Sequence, residues 1–139
     1  MTLLVAALCD AATDYHGKLN ILGAFDTIFS QNFPAVHPHC CLALRMLFAK
    51  DEEGTRQLEV NLINADGQGM IPPVKIPVRV VVPDEVDAAS QNVVINMQQL
   101  RFLEPGQYAF DITLDAIHRI SIPLRVVSVA PPAEQETPF

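Results

Sequence analysis

The chain has 139 residues, half of them hydrophobic, which is a comfortable length for one domain with a sizeable core. Its formal net charge of −7 argues against a nucleic-acid partner, because phosphate backbones are bound through basic patches. There is no cluster of Lys or Arg for anionic lipid headgroups, and no apolar run approaches the ~20 residues that span a bilayer. We therefore expect neither nucleic acid nor membrane as a partner.

The composition also favours an all-β protein. Aromatic residues make up 6% of the chain and Trp is absent, so the core must consist mainly of Val, Leu and Ile. The chain has 11 prolines and few long helical patterns. β-Branched residues and frequent turn residues are typical of short strands rather than helices.

The first predicted strand covers residues 2–9, which are apolar on both faces. A secretory signal would need a positive charge before a longer apolar run, but Asp10 ends this run and the first basic residue is Lys18. The three cysteines include the adjacent pair Cys40-Cys41, and an odd number with this spacing is not a disulfide framework. We predict a cytoplasmic protein.

Polar residues over 10–17 end in a predicted turn, His16-Gly17-Lys18, and the apolar run 19–29 predicts a second strand with a bulge at Gly23. Two prolines within 33–38 exclude a helix and predict an extended crossing segment. Alternating apolar residues then predict a strand over 40–48.

Two further strands are predicted over 58–63 and 74–82. Pro77 cannot donate a hydrogen bond to a neighbouring strand, so we expect the second of these at a sheet edge. After an acidic loop over 83–91, the apolar residues change from odd to even numbers, which predicts a bulge near Gln98-Gln99.

The strongest pattern is the strict alternation over 108–114 and again over 120–126, which predicts a hairpin with one buried face. The segment 115–118 is short enough for a tight connection. Pro123 predicts that the last strand is also at an edge.

Together these elements predict a single antiparallel β-sandwich, immunoglobulin-like or C2-like, of about seven to nine strands over residues 1–129. Residues 130–139 are rich in Pro and Glu and lack a periodic apolar pattern, so we expect a disordered tail there.

The densest polar cluster is the segment 37–41. In an extended segment His37, His39 and Cys41 point the same way, and two imidazoles and a thiolate are ligands that zinc accepts. A structural zinc site usually has a fourth ligand, for which His16, His118 or a carboxylate are candidates. The alternative is that these residues pack beside the entry to a strand. The sequence predicts no cofactor, and it leaves this metal or small-ligand site open as an alternative.

Other site chemistry has weaker signals. Asp84, Glu85 and Asp87, or Asp10 with Asp14, are acidic loop residues that could bind calcium, but they lack the dense spacing typical of calcium loops. The chain has no GxSxG, Cys-His signature, P-loop or GxGxxG. We expect no enzymatic activity.

A resemblance is carried by three segments that cover most of the chain: LLVAALCDAA, GKLNILGAFDTIFSQNFPAVHP and EPGQYAFDITLDAIHRISIPLRVV. They resemble an uncharacterised family of small bacterial proteins, a domain of unknown function. The resemblance implies a bacterial β-sandwich and supplies no activity or catalytic residue. The last hairpin of that family usually carries Asp-Gly, where this chain has Asp115-Ala116.

The function that fits these observations is a non-enzymatic cytoplasmic β-sandwich that acts through protein–protein contacts. A homo-oligomer or a protein partner bound at an edge strand or sheet face fits the apolar residues on nominally outer faces, such as Leu47, Ile63 and Val81.

Overall fold

The computed structural model describes residues 1–131, and within them the chain is all-β. The strands are β1 Thr2–Tyr15, β2 Lys18–Ala24, β3 Thr27–Ser30, β4 Ala35–Ala49, β5 Gly54–Ile63, β6 Val74–Val80, β7 Ala88–Phe102, β8 Gly106–Leu114 and β9 Ile117–Ser128. A 3-10 turn, Lys50–Glu52, joins β4 to β5. The predicted disordered tail lies outside the described residues, apart from its first two positions.

The strands form two sheets. The four-stranded sheet has the order β2-β1-β4-β7 and the five-stranded sheet has the order β3-β9-β8-β5-β6. The strand predicted over 19–29 is interrupted at Phe25-Asp26, so β2 stays in the first sheet and β3 crosses to the second. There β3 lies parallel to the end of β9, which corrects the prediction of a purely antiparallel structure.

One hydrophobic cluster takes its side chains from both sheets. β4 contributes Leu42, Leu44 and Phe48, and β8 contributes Phe110 and Ile112, all of them at most 1% exposed. The alternation along β8 and β9 therefore has the predicted orientation, and the hairpin is confirmed. Burial of these aliphatic and aromatic side chains is the main driving force for the fold.

The change from odd to even apolar positions occurs near Gln98-Gln99, but the bulge predicted there is wrong, because β7 keeps one register with β4 through this segment. Ile95 and Met97 are buried on one side of it and Leu100 on the other, and Gln99 has a positive φ of 54°. The residue pairs of β4 and β7 follow one register on both sides of Gln99. The buried positions of β4 therefore change from odd to even at the point opposite Gln99. The inward-facing side chains of both strands therefore change position at the same place, and neither strand has the extra unpaired residue of a bulge.

The two prolines predicted at sheet edges have different surroundings. Pro77 lies in β6, which is an edge strand, as predicted. Pro123 lies in β9, which has neighbours on both sides, but β3 pairs only with Arg125–Ser128. Pro123 precedes that segment and pairs with Ala109 of β8 alone, so its missing N–H leaves no partner unsatisfied.

The β8–β9 turn has an unusual residue for its backbone conformation. Asp115 and Ala116 have φ values of 49° and 64°. Positive φ at both central residues is typical of a type I′ turn, which normally carries Asn-Gly or Asp-Gly. Ala116 therefore occupies a position that favours glycine.

We expect Ala116→Gly to raise the free energy of unfolding by about 1 kcal/mol, because it removes the strain of a Cβ in the left-handed region. Urea denaturation measures this difference. Ala109→Gly, within β8, is the matched control and should instead destabilise the protein by about 0.5–1 kcal/mol. A loss of stability in the Ala116 variant would contradict the turn assignment.

Candidate functional site

The four-stranded sheet curls at its β1–β2 end. β1 pairs with β4 only from Thr2 to Cys9, and from Cys9 to Tyr15 it pairs with β2. The second half of β1 and all of β2 form a hairpin whose turn, at Gly17, lies against the outer face of β4 and β7. The turn predicted at His16-Gly17-Lys18 is confirmed, and the polar residues before it continue β1 to Tyr15.

A polar cluster holds the hairpin turn on the sheet. Arg45 Nη1 donates hydrogen bonds to Gly17 O at 2.9 Å and to Asn92 Oδ1 at 2.8 Å. Asn92 Nδ2 donates to Asp14 Oδ2 at 3.0 Å and to Gly17 O at 3.1 Å. The second Asp14 oxygen accepts from Gly17 N at 3.0 Å. This cluster links β1, β4 and β7, so we regard it as structural.

Beneath the hairpin is a second, smaller core made of short side chains. Cys9, Cys41 and Ala43 are at most 1% exposed, and three partly buried side chains pack against them: Ala12, Leu19 and Val94. Side chains of this size allow a hairpin to lie directly on a sheet. Within the hairpin, Gly23 allows β2 to lie close to β1, because a Cβ there would lie 2.5 Å from Asp10 Oδ2.

The three predicted metal ligands do not share one face. His39 Nε2 lies 3.6 Å from Cys41 Sγ, which also contacts Asn96 Oδ1 at 2.9 Å. His37 instead pairs with Leu100, a core residue, and its ring packs against Phe25 with centroids 5.4 Å apart. The prediction that His37, His39 and Cys41 point the same way is wrong, because the joint twist of β4 and β7 at Gln99 turns His37 inward.

The other candidate ligands are also dispersed. His16 packs edge-on against Tyr15, and His118 lies at the far hairpin beside Ser121. Asp84 bonds to Lys50 at 2.9 Å, and this contact lowers the pKa of its carboxyl group. Among residues 1–131, no group of three or more His, Cys, Asp or Glu side chains could hold a metal ion.

A groove of about 410 Å³ is lined by the middle of β5, by Lys75 of β6 and by the β8–β9 turn at Asp115 and Ala116. The Gln57 N–H donates to the Asp115 carboxylate at 2.9 Å and Arg56 Nη1 at 3.1 Å. These two hydrogen bonds, the backbone one first, lower the pKa of Asp115. The groove therefore presents an ionised carboxylate whose bonds serve the hairpin turn.

The three cysteines differ in their environment. Cys40 faces the main core, where burial raises the pKa of its thiol to about 11. Cys9 belongs to the small core, and burial followed by the neighbouring Cys41 raises its pKa. The sequence indicates that the two adjacent cysteines face opposite ways, but not that Cys41 meets Cys9.

The outer edge of β7 is a feature that the sequence analysis did not identify. β7 is 15 residues long and ends the four-stranded sheet. Its residues 88–100 include no charged side chain and no proline. Within the described residues, no loop backbone forms a hydrogen bond to it. An edge strand of this length and composition is open to pairing with another chain.

The other sheet edges are protected. β6 carries Pro77 flanked by Lys75 and Arg79, and β3 has only four residues. β2 has an irregular backbone at Gly23, whose φ is 70°, although the bulge predicted there is wrong, because β2 keeps one register with β1. Short strands, prolines, lysines and irregular backbone are the devices that keep edge strands from pairing. Only β7, among the sheet edges of residues 1–131, has none of them along most of its length.

The fold and this site define an all-β protein of two sheets with an open edge and without an evident catalytic constellation in the described residues. The chain belongs to a family of unknown function, DUF6941, which matches residues 4–127. No curated protein matches the chain. The described residues form no helix that is long and apolar enough to cross a membrane.

Proposed function

We propose that this protein is a non-enzymatic cytoplasmic β-sandwich that acts through protein–protein contacts, and that a second copy of the chain binds along β7. The free edge of β7 carries this proposal. The shared hydrophobic cluster of the two sheets supports one sandwich domain over residues 1–129, of the immunoglobulin-like or C2-like kind.

Strand addition is the form of contact that the edge favours. Alternate residues of an edge strand direct their N–H and C=O groups away from the sheet, and a second strand satisfies them. β4 already pairs with β7 from Ala35 to Ala49, so the sheet beneath is rigid over the whole length of the edge. The added strand would extend the four-stranded sheet across the interface.

The charges near β7 favour a second copy as the added strand. The chain carries a net charge of −7, so most surfaces repel their own copies, but residues 88–100 have no charge. The acidic residues Asp84, Glu85 and Asp87 precede β7, and Arg101 lies near its end. Antiparallel pairing of two copies places the acidic end of one strand beside the basic end of the other, which is electrostatically complementary.

The state of the cysteines supports the proposed cytoplasmic location. All three cysteines are free and buried. Free cysteines are typical of a reducing compartment, since secreted domains of this size commonly form disulfides.

The test is the paired substitution of Ser90→Lys and Gln98→Lys, which lie near opposite ends of the free edge. Where residue 90 of one copy lies opposite residue 98 of the other in an antiparallel pair, each added lysine faces a lysine of the other copy. We expect native mass spectrometry to give twice the 15.3 kDa subunit mass for the wild type and the subunit mass for the variant. The dissociation constant should rise at least about 10-fold, since opposed like charges weaken an interface.

A matched control adds the same charges elsewhere. Asn20→Lys and Gln31→Lys are exposed positions outside β7, and this variant should remain dimeric. A wild-type protein that stays monomeric at micromolar concentration would contradict the proposed self-association. A bound metal or metabolite in the same spectrum would favour the ligand-binding alternative and direct mutagenesis to His39 and Cys41.

A further inference from the structure

Cys9 and Cys41 are directly opposite residues of β1 and β4. Both side chains belong to the small core beneath the hairpin, where they are 0% and 1% exposed. Cys9 Sγ lies 3.6 Å from Cys41 O. The two thiols therefore lie on the same face of the sheet, although 32 positions separate them in the chain.

This arrangement suits a disulfide. Directly opposite residues of antiparallel strands have Cα atoms about 4.5–5.5 Å apart. Disulfides join residues whose Cα atoms are about 4.4–6.8 Å apart, so the backbone can accept the bond with little movement. Cys40, which is next in the chain to Cys41, belongs to the main core on the opposite face. It is not positioned to replace either partner.

We propose that Cys9 and Cys41 form a reversible cross-strand disulfide, and that His39 positions and activates Cys41 as the attacking thiol. His39 is exposed, and its Nε2 lies 3.6 Å from Cys41 Sγ. An imidazole at this position can take the thiol proton and exchange it with solvent. Asn96 holds the same sulfur at 2.9 Å from the β7 side. Cys9 Sγ contacts the backbone oxygen Cys41 O at 3.6 Å, and Cys9 acts as the resolving thiol.

The oxidant is a peroxide, whose small size suits a buried thiol. The Cys41 thiolate attacks one peroxide oxygen, the O–O bond breaks, and hydroxide leaves and takes up a proton to become water. Cys41 is then a sulfenic acid. The Cys9 sulfur attacks Cys41 Sγ, loses its proton and displaces the sulfenic oxygen as a second water. Two thiols and one hydrogen peroxide thus give one disulfide and two water molecules.

The bond would act at the point where the sheet curls. Cys9 is the last residue of β1 that pairs with β4 and the first that pairs with β2. A covalent link there fixes the base of the hairpin to β4. Hydrogen bonds from Arg45 and Asn92 hold the hairpin turn on the sheet, and a disulfide would add a covalent restriction to its opening. This inference is independent of the proposed pairing along β7.

The test exposes the full-length native protein to hydrogen peroxide and measures its intact mass and its linked peptides. We expect the loss of two hydrogen atoms, a Cys9–Cys41 peptide, and full reversal by a thiol reductant. Cys9→Ala and Cys41→Ala should each abolish the link, whereas the matched control Cys40→Ala should retain it. Amide hydrogen exchange in residues 10–24 should slow on oxidation, because the hairpin opens less often.

The role of His39 has its own readout. In His39→Gln the same disulfide should form, but about 10-fold more slowly at neutral pH, with the rise in rate displaced to higher pH. An unchanged pH profile would overturn the assigned role of His39. Sulfinic acid at Cys41 without a link, a link through Cys40, or reaction only after unfolding would each overturn the disulfide itself.

Discussion

Replacing Phe110 with alanine should lower the free energy of unfolding by about 3–5 kcal/mol, the usual cost of removing a buried phenylalanine. Phe110 is 0% exposed and lies in β8, between Leu62 of β5 and Ile122 of β9. Its ring belongs to the cluster that both sheets share, so truncation leaves a cavity that neighbouring strands cannot fill. Urea denaturation monitored by circular dichroism measures the change.

Phe29 offers a matched control, because it is the same residue type at 67% exposure in β3. Phe29→Ala should change the free energy of unfolding by less than about 0.5 kcal/mol, as is usual for surface positions. A typical domain has about 5–15 kcal/mol of stability, so the Phe110 variant should lose a large share of it. If the two variants were equally stable, the assignment of a core shared by both sheets would be wrong.

Gly23→Ala should destabilise the protein by about 2–3 kcal/mol, through two separate costs. The φ of Gly23 is 70°, and a residue with a Cβ in this region loses about 1–2 kcal/mol. The new Cβ would also lie 2.5 Å from Asp10 Oδ2 and 3.2 Å from Asp10 Cβ. Rotation of the exposed Asp10 carboxylate can relieve the shorter contact, but the 3.2 Å approach to Asp10 Cβ requires β1 and β2 to move apart slightly.

The second cost can be measured against Gly17, which lies at the tip of the same hairpin. Its φ is 77°, but a Cβ there would meet nothing within 4 Å. Gly17→Ala therefore bears only the conformational cost, about 1–2 kcal/mol. The difference between the two variants in urea denaturation gives the steric contribution of Asp10. Equal losses would show that the strands are not crowded at Gly23.

The two proposals concern neighbouring parts of the same sheet, the β1–β4 pair and the β7 edge. β4 lies between β1 and β7, and it contributes Cys41 to the thiol pair and the full length of its backbone to the support of β7. Asn96 of β7 contacts Cys41 Sγ at 2.9 Å, so the thiol site touches the edge strand directly. Measuring the dissociation constant of the dimer for the oxidised and for the reduced protein tests whether the thiol pair affects pairing along β7.

Much of the local structure is determined by the sequence itself. Alternation over 108–114 and 120–126 predicts the β8–β9 hairpin, and the sequence also shows where the buried positions of β7 change from odd to even, near Gln99. Pro77 predicts an edge strand because a missing N–H can be tolerated only where no neighbour needs it. These features depend on one or two strands, so periodicity and the chemistry of single residues are sufficient to identify them.

The tertiary structure alone decides which strands become neighbours and which side chains meet. The polar residues over 10–15 carry no strand pattern in the sequence, yet they continue β1, and Arg45 and Asn92, from distant strands, hold the hairpin turn on the sheet. The inward turn of His37 depends on a twist that β4 shares with β7, and the meeting of Cys9 with Cys41 depends on pairing across the sheet. Such contacts are set by the packing of the whole chain, because period-two alternation specifies a face but not a partner.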